Sequence, residues 1–280
     1  MSLPNSVGVY GGGRMGAGIA HAFLLAGTSV TVIEADEAAA AAADGRVRDS
    51  LTKAAERGKL REPLPQVAER LTVTTDPSAL ASCVLVIEAV PESVELKTSV
   101  LTRVEELAPE AFLATNTSSL SVDNVATSLA RPERFIGLHF FNPVPASELV
   151  EIVVGSKTSA DLVADAKEWV KALGKTAITV TDSPGFASSR LGVALALEAM
   201  RMLQDGVASA SDIDTAMTLG YKHPMGPLKT TDVVGLDVRL AIAEHLAKEV
   251  GPHFEPPAIL REKVAAGHLG RKTGQGFYTW

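Results

Sequence analysis

Residues 7–34 read VGVYGGGRMGAGIAHAFLLAGTSVTVIE, and their order decides the fold. The short apolar run Val7-Gly8-Val9-Tyr10 leads straight into Gly11-Gly12-Gly13-Arg14-Met15-Gly16. An Ala- and Leu-rich segment follows and stops at Gly27, where a left-handed helix cap belongs. A second β-branched run then ends on Glu34, 18 positions beyond Gly16. GxGxxG alone is a weak signal; a strand before it, a helix after it and an acidic residue at this distance make it a dinucleotide-binding one. Gly11 permits the tight turn, Gly13 opens the backbone to a pyrophosphate, and Gly16 lets helix and strand approach. Arg14 and Met15 share that loop, and the helix start offers N–H groups and partial positive charge to phosphates. Glu34 can accept from the adenosine ribose and would repel a 2′-phosphate, so NAD is favoured over NADP, although Arg14 could serve either.

Downstream, strand and helix signals alternate. Residues 37–60 read as one long helix opening on an alanine run. Within 46–61, Arg46, Arg48, Lys53, Arg57, Lys59 and Arg61 face only Asp49 and Glu56, a cationic surplus in an otherwise acidic chain. That surplus is either a solvated helix face or a site for phosphates other than the dinucleotide's. Strands are expected at 71–75, 84–90 and 112–116, with a short helix at 77–81. Pro91 is expected to open a helix with Glu92 in its first turn and Lys97 beyond it. Thr117-Ser118-Ser119 follows the third of these strands, at the end where open parallel sheets place ligands. Ser118 is thus either a ligand contact or a plain helix cap.

Residues 135–155, FIGLHFFNPVPASELVEIVVG, hold two strand-length apolar runs, each interrupted by one titratable residue. Under a two-residue period His139 shares a face with Phe135 and Phe141, and Glu151 with Leu149 and Val153. Asn142-Pro143-Val144-Pro145 must turn the chain. If the two strands are neighbours, His139 and Glu151 can meet in an apolar setting as a general base and its orienting group. Otherwise they are a structural histidine and a strand-edge glutamate that never touch. One more strand is expected at 176–182. Beyond Pro184 only helical signals and glycine or proline punctuation remain, which puts a domain boundary there. The basic, glycine-rich tail from Gly270 must dock to be ordered.

Composition bounds the function classes. An apolar share of 46% with 21% charged residues is globular, and a net charge of −7 argues against nucleic acid or an anionic membrane as the main partner. No apolar run has the length of a membrane span. The polar start MSLPNS does not read as a signal peptide. The single Cys83 excludes an internal disulfide and a cysteine-clustered metal site. A cytoplasmic protein without a bound metal is expected.

Taken together, VYGGGRMGAGIA, EAVPESVELK, NTSSL, GLHFFNPVP with LVEIV, DSPGF, GYKHPMGPL with TTDVVGLD, and GRKTGQGFY resemble the short-chain L-3-hydroxyacyl-CoA dehydrogenases, in particular the bacterial 3-hydroxybutyryl-CoA type. The resemblance runs over essentially the whole chain. It implies an α/β fold, a Rossmann-type doubly wound and mostly parallel sheet over residues 1–183, followed by an all-α domain over 184–280 for dimerisation and substrate closure. It implies NAD as cofactor, an acyl-CoA substrate and a place in fatty acid metabolism. His139 falls on the family's catalytic base and Glu151 on its partner. Ser118 and Asn142 fall on residues lining the reacting end of substrate and nicotinamide. Glu92, Lys97 and Lys272 fall on cofactor contacts, and Ser50 and Arg57 are the candidates for the CoA nucleotide. Where the family carries an asparagine that meets the substrate, this chain has Ser189, a shorter donor without the amide's paired donor and acceptor. Two other readings stay open: a same-fold dehydrogenase of a free hydroxy acid, as the gulonate dehydrogenases are, and a non-catalytic dinucleotide-binding protein of crystallin type.

Overall fold

The computed structural model describes residues 3–280, and the chain divides after Ser183 into two compact units. In the first, strands and helices alternate because apolar β-branched runs are punctuated by glycine turns and amphipathic segments. The order is β1 (Ser6–Tyr10), α1 (Arg14–Leu25), β2 (Ser29–Ile33), α2 (Glu37–Glu56), α3 (Leu64–Glu69), β3 (Leu71–Thr74), β4 (Leu85–Glu88), α4 (Val94–Leu107), β5 (Phe112–Thr115), α5 (Val122–Ala126), β6 (Phe135–Phe140), β7 (Leu149–Val154), α6 (Ala160–Ala172) and β8 (Thr176–Thr181). The eight strands form one sheet in the order β3-β2-β1-β4-β5-β6-β7-β8. All neighbours are parallel except β6 and β7. The chain therefore reverses its winding direction between β1 and β4, the crevice where doubly wound folds bind dinucleotides.

The sheet is covered on both faces, which explains why β4 and β6 are buried at every position and read as continuous apolar runs. Ile19 and Phe23 of α1, Val47 and Leu51 of α2, and Trp169 of α6 pack with Val7, Val9, Val32 and Ile152 of the sheet. Cys83 lies just before β4, buried, and desolvation pushes its thiol up to about 11, so it is an inert core group. Among the described residues no group of acidic, histidine and cysteine side chains could hold a metal, and no helix is long and apolar enough to cross a membrane.

Two local expectations are corrected. The long helix stops at Glu56, with Arg57 as its cap and Gly58 at φ +64°; the left-handed glycine ends it four residues early. Glu92 is not in the first turn of a helix. Ser93 is the N-cap of α4, its hydroxyl accepting from Leu96 N, so Pro91 and Glu92 stand outside the helix. A serine that caps outcompetes a proline that merely tolerates the N1 position.

The second unit is helical: α7 (Ser188–Gln204), α8 (Ala210–Thr215), α9 (Pro227–Val234), α10 (Leu236–Glu249) and α11 (Ala258–Ala265), with a wide turn over Ala216–Gly220 between α8 and α9. Its core is Val193, Leu197, Met200, Leu228, Leu236, Leu246, Phe254 and Leu260. Buried carboxylates tie the irregular parts to it. Asp214 accepts from Leu228 N and Lys229 N at the start of α9 and from the Tyr278 hydroxyl; burial first, and then this bond, raise the Tyr278 pKa. Asp232 accepts from Phe277 N, Tyr278 N and Trp280 Nε1. The C-terminal tail therefore docks through hydrogen bonds to two carboxylates, Asp232 and Asp214, bonds of the stronger kind.

Candidate active site

The glycine loop sits at the C-terminal end of β1, at the winding reversal. Gly11 adopts φ +97°, and a Cβ there would stand 2.9 Å from the Ala89 carbonyl oxygen after β4. A Cβ on Gly16 would land on the Gly11 carbonyl oxygen, and one on Gly12 would overlap Ala43 of α2. Gly13 has nothing within 4 Å of where a Cβ would lie; it faces open space at the start of α1, as a position kept clear for an incoming phosphate should. Glu34, one residue past β2, accepts from Gly12 N at 2.6 Å. One carboxylate oxygen thus braces the loop, while Glu34 also borders a cavity of about 580 Å³. Gly11, Gly13, Arg14, Met15, Ala89, Val90 and Pro91 line the same cavity. A tight turn, an unobstructed helix start, a ribose-level carboxylate and an apolar slot of this size fit an adenine dinucleotide.

Glu92 gathers the segment after β5. Its Oε1 accepts from the Thr117 hydroxyl at 2.6 Å, Ser118 N at 2.9 Å and Ser119 N at 3.1 Å. Burial alone would raise its pKa, but Thr117, Lys97 and the Ser118 amide together outweigh that and hold it below the ordinary carboxylate range. Ser118 is exposed at the C-terminal edge of the sheet and caps no helix; the α5 cap is Ser121.

Lys97 lies deeper than a surface contact. It is 1% exposed and reaches Glu88 Oε1 and Oε2 at 2.8 and 3.1 Å, Val90 O at 3.3 Å and Glu92 Oε2 at 3.2 Å. Glu88, at the end of β4, also accepts from the Thr115 hydroxyl at 2.7 Å. Sequence reasoning missed Glu88 and Thr115. The signal was a single carboxylate within VLVIEAV, a strand otherwise apolar throughout, which demands a buried cation nearby.

His139 and Glu151 face each other directly across the antiparallel β6–β7 pair, with Nδ1 and Oε2 2.8 Å apart. Glu151 is 0% and His139 6% exposed. The Phe141 ring lies 4.4 Å from the imidazole centroid. Nδ1 donates its proton to the carboxylate in the neutral ring, which puts the ring's lone pair on Nε2. Both residues stand at the same sheet edge as Ser118, because β5 and β6 are parallel and β7 begins where β6 ends. Asn116, also missed, links these strand ends: its Oδ1 accepts from Phe140 N at 2.9 Å.

Asn142 lies two residues beyond β6, exposed, on the rim of a second cavity of about 360 Å³. The opposite rim is Arg46, Asp49, Ser50 and Lys53 of α2, with Arg14 of the glycine loop. Three cations against one carboxylate make it a phosphate-attracting cleft. Ser50 is in this lining, 2.9 Å from His21 Nδ1 of α1. Arg57 is not in this lining; it is exposed at the end of α2, two turns away. Arg46 and Lys53, known from sequence only as part of the cationic surplus, occupy the cleft instead. In the second unit, Lys272 is bound to Asp237 at 2.6 Å to each oxygen, and Ser189 stands in the first turn of α7.

Residues 6–183 match the 3-hydroxyacyl-CoA dehydrogenase NAD binding domain, and residues 185–280 match the 3-hydroxyacyl-CoA dehydrogenase C-terminal domain. The chain is 42% identical to a 3-hydroxybutyryl-CoA dehydrogenase of Mycobacterium tuberculosis, over 98% of both chains. It is 38% identical to the human mitochondrial hydroxyacyl-coenzyme A dehydrogenase, over 98% of this chain and 90% of that one. The crystal structure of (S)-3-hydroxybutyryl-CoA dehydrogenase from Ralstonia eutropha superimposes with a TM-score of 0.95 at 39% identity, covering 99% of each chain. With both halves matched in order and a dinucleotide cleft at the winding reversal, this chain belongs to the 3-hydroxyacyl-CoA dehydrogenase family and is built to use NAD.

Proposed function

We propose that this protein oxidises a short-chain (3S)-3-hydroxyacyl-CoA, such as 3-hydroxybutyryl-CoA, reversibly to the 3-ketoacyl-CoA. The observation that carries the reading is the buried His139–Glu151 contact at the sheet edge. When bound, NAD supplies the hydride acceptor for carbon 3 of the substrate. His139 takes the hydroxyl proton at Nε2 as the carbon–oxygen double bond forms. Glu151 holds the Nδ1 proton and offsets the positive charge that the ring acquires. Ser118 and Asn142 donate hydrogen bonds to the oxygen on carbon 3. General-base help of this kind is worth ~100- to 10,000-fold in rate.

Gly11, Gly13, Arg14, Met15, Gly16 and Glu34 hold the dinucleotide. Glu92, organising the Ser118 segment, borders it, and Lys97 acts on it through Glu92. Lys272 stands on a position that the family resemblance assigns to the cofactor, and Ser189 meets the acyl group with a shorter reach than an amide. Ser50, Arg46 and Lys53 take the phosphates of CoA, with Arg57 further along the nucleotide. This cationic cleft beside Asn142 favours a CoA ester over a free hydroxy acid. A homodimer in the cytoplasm is the form that fits the apolar surface of the helical unit and the single buried thiol.

The test is His139→Gln assayed with 3-hydroxybutyryl-CoA and NAD. Turnover is expected to fall about 100-fold or more while NAD affinity, read by fluorescence titration, stays within about twofold. Near-normal turnover in that variant rejects the assignment. Faster oxidation of a free hydroxy acid than of the CoA ester by the wild type rejects the substrate class.

A further inference from the structure

Lys175 follows Gly174, the left-handed glycine at φ +71° that ends α6, and immediately precedes β8. Its ammonium turns inward. Nζ donates to the Val144 carbonyl at 2.7 Å and to the Ser147 carbonyl at 2.5 Å. Both carbonyls belong to the turn between β6 and β7, and no backbone N–H reaches either of them among the described residues. The turn has few donors of its own, because Pro143 and Pro145 carry no N–H. Burial lowers the Lys175 pKa, and Glu148, which acts the other way, does not outweigh it. A half-buried ammonium bonded to two neutral carbonyls adds little net stability, since desolvation of the charge offsets much of what the bonds contribute. Its effect is geometric: it fixes two points of one turn.

Val144 supplies a third point. It is 2% exposed and packs on α1, where a Cβ at Gly18 would stand 2.8 Å from the Val144 Cβ. Asn142 stands between the end of β6 and this pinned turn, and shares with Pro143, Val144 and Pro145 one wall of the cationic cleft. No side-chain hydrogen bond holds Asn142 among the described residues. Its amide is therefore placed by the backbone of the turn alone. A misplacement on the order of 1 Å in a group that meets the reacting atoms costs about 100-fold in rate.

We propose that Lys175 is a positioning residue for the reaction: by tying the Val144 and Ser147 carbonyls it sets where Asn142 meets the oxygen on carbon 3. It acts through the turn and not on the substrate. The inference rests on the dehydrogenase reading above, in which Asn142 donates to that oxygen.

The test is a double-mutant cycle of Lys175→Met and Asn142→Ala in the full chain, assayed with 3-hydroxybutyryl-CoA and NAD. Methionine keeps an unbranched side chain and removes the donors. Lys175→Met alone is expected to lower kcat about tenfold or more, with KM and NADH affinity within about threefold of wild type. Added to Asn142→Ala it is expected to cost no more than about twofold further, because the residue it places is already gone. Lys175→Gln can still donate to one carbonyl; its kcat is expected to lie between those of wild type and Lys175→Met, and it carries the same cycle should the methionine variant fail to fold. Losses in kcat that simply multiply overturn the proposal, since Lys175 would then act by a route other than Asn142. A raised KM with unchanged kcat also overturns it, and would make the ammonium a contributor to the positive potential of the cleft. A lowered urea midpoint as the sole effect would leave Lys175 a brace of the fold and equally sink the idea. Wild-type turnover in Asn142→Ala removes that residue from the dehydrogenase reading and takes this inference with it. A slow Asn142→Ala beside an unimpaired Lys175→Met strikes the inference alone.

Discussion

At the scale of single residues, what faces Glu151 helps to make it tolerable. A carboxylate with no solvent exposure costs several kcal/mol unless a donor or a positive charge compensates it, and the His139 ring supplies a donor now and a charge when protonated. Glu151→Gln keeps the shape and removes the charge. Its amide can turn an N–H toward Nδ1, which moves the ring proton to Nε2 and abolishes the basic lone pair there. Turnover is expected to fall about 100-fold or more, while urea unfolding shifts by only about 1 kcal/mol because a hydrogen bond survives. Turnover within about threefold of wild type would dissolve the pairing as a catalytic device. The members of this pair were legible in the sequence because period-two alternation places each on a strand face. From periodicity alone their meeting stayed conditional, since it depends on β7 running antiparallel to β6 with His139 opposite Glu151; only the family resemblance named them partners. Lys97 was harder still. Its partner Glu88 lies nine residues earlier on another element; the lone carboxylate in VLVIEAV called for a buried cation, but not for this one.

At the scale of elements, α1 and α2 meet through His21 and Ser50. Burial, with Lys175 and Lys59 acting in the same direction, lowers the His21 pKa from 6.5 to about 4. The unfolded chain takes up this proton near 6.5, and the folded protein does not until about 4. Between those values the unfolded state binds more protons, so the stability this site protects is intact above pH 6.5 and drains away as pH falls toward 4. The loss amounts to about 3 kcal/mol from this group. His21→Gln keeps a partner for Ser50 and removes the titration. Between pH 7 and pH 4.5 the wild type is expected to lose more stability than this variant, as read from urea unfolding at each pH. Parallel losses would show that His21 is already protonated or already solvated in the native state. The helices and the glycine loop were readable from local pattern, because capping, periodicity and left-handed glycines act within a few residues. The coupling of α1 to α2 was not, because a lone histidine in an alanine-rich helix carries no mark of what will cover it.

At the scale of the molecule, apolar exposure is unevenly distributed. Of the large hydrophobic side chains exposed among the described residues, only Val84 and Leu96 belong to the first unit. The helical unit carries Leu191, Val207, Leu219, Tyr221, Met225, Val233, Val234, Val238 and Trp280. Leu219 and Tyr221, 68% and 76% exposed, sit two residues apart where the wide turn after α8 ends. Val233, Val234 and Val238 cluster around the α9–α10 junction. Soluble monomers seldom leave this much hydrophobic surface on one small unit, and obligate interfaces are made of such side chains. The proposed homodimer would cover such side chains with a self-complementary face. Sedimentation equilibrium is therefore expected to give twice the 29.3 kDa of one chain. Leu219→Glu combined with Tyr221→Glu is expected to shift that mass toward a single chain, because two uncompensated charges would be buried at the contact. Circular dichroism of the helical signal checks that the variant still folds. A wild-type protein that sediments as one chain at micromolar concentration would leave this surface to some other partner and remove the dimer from the reading.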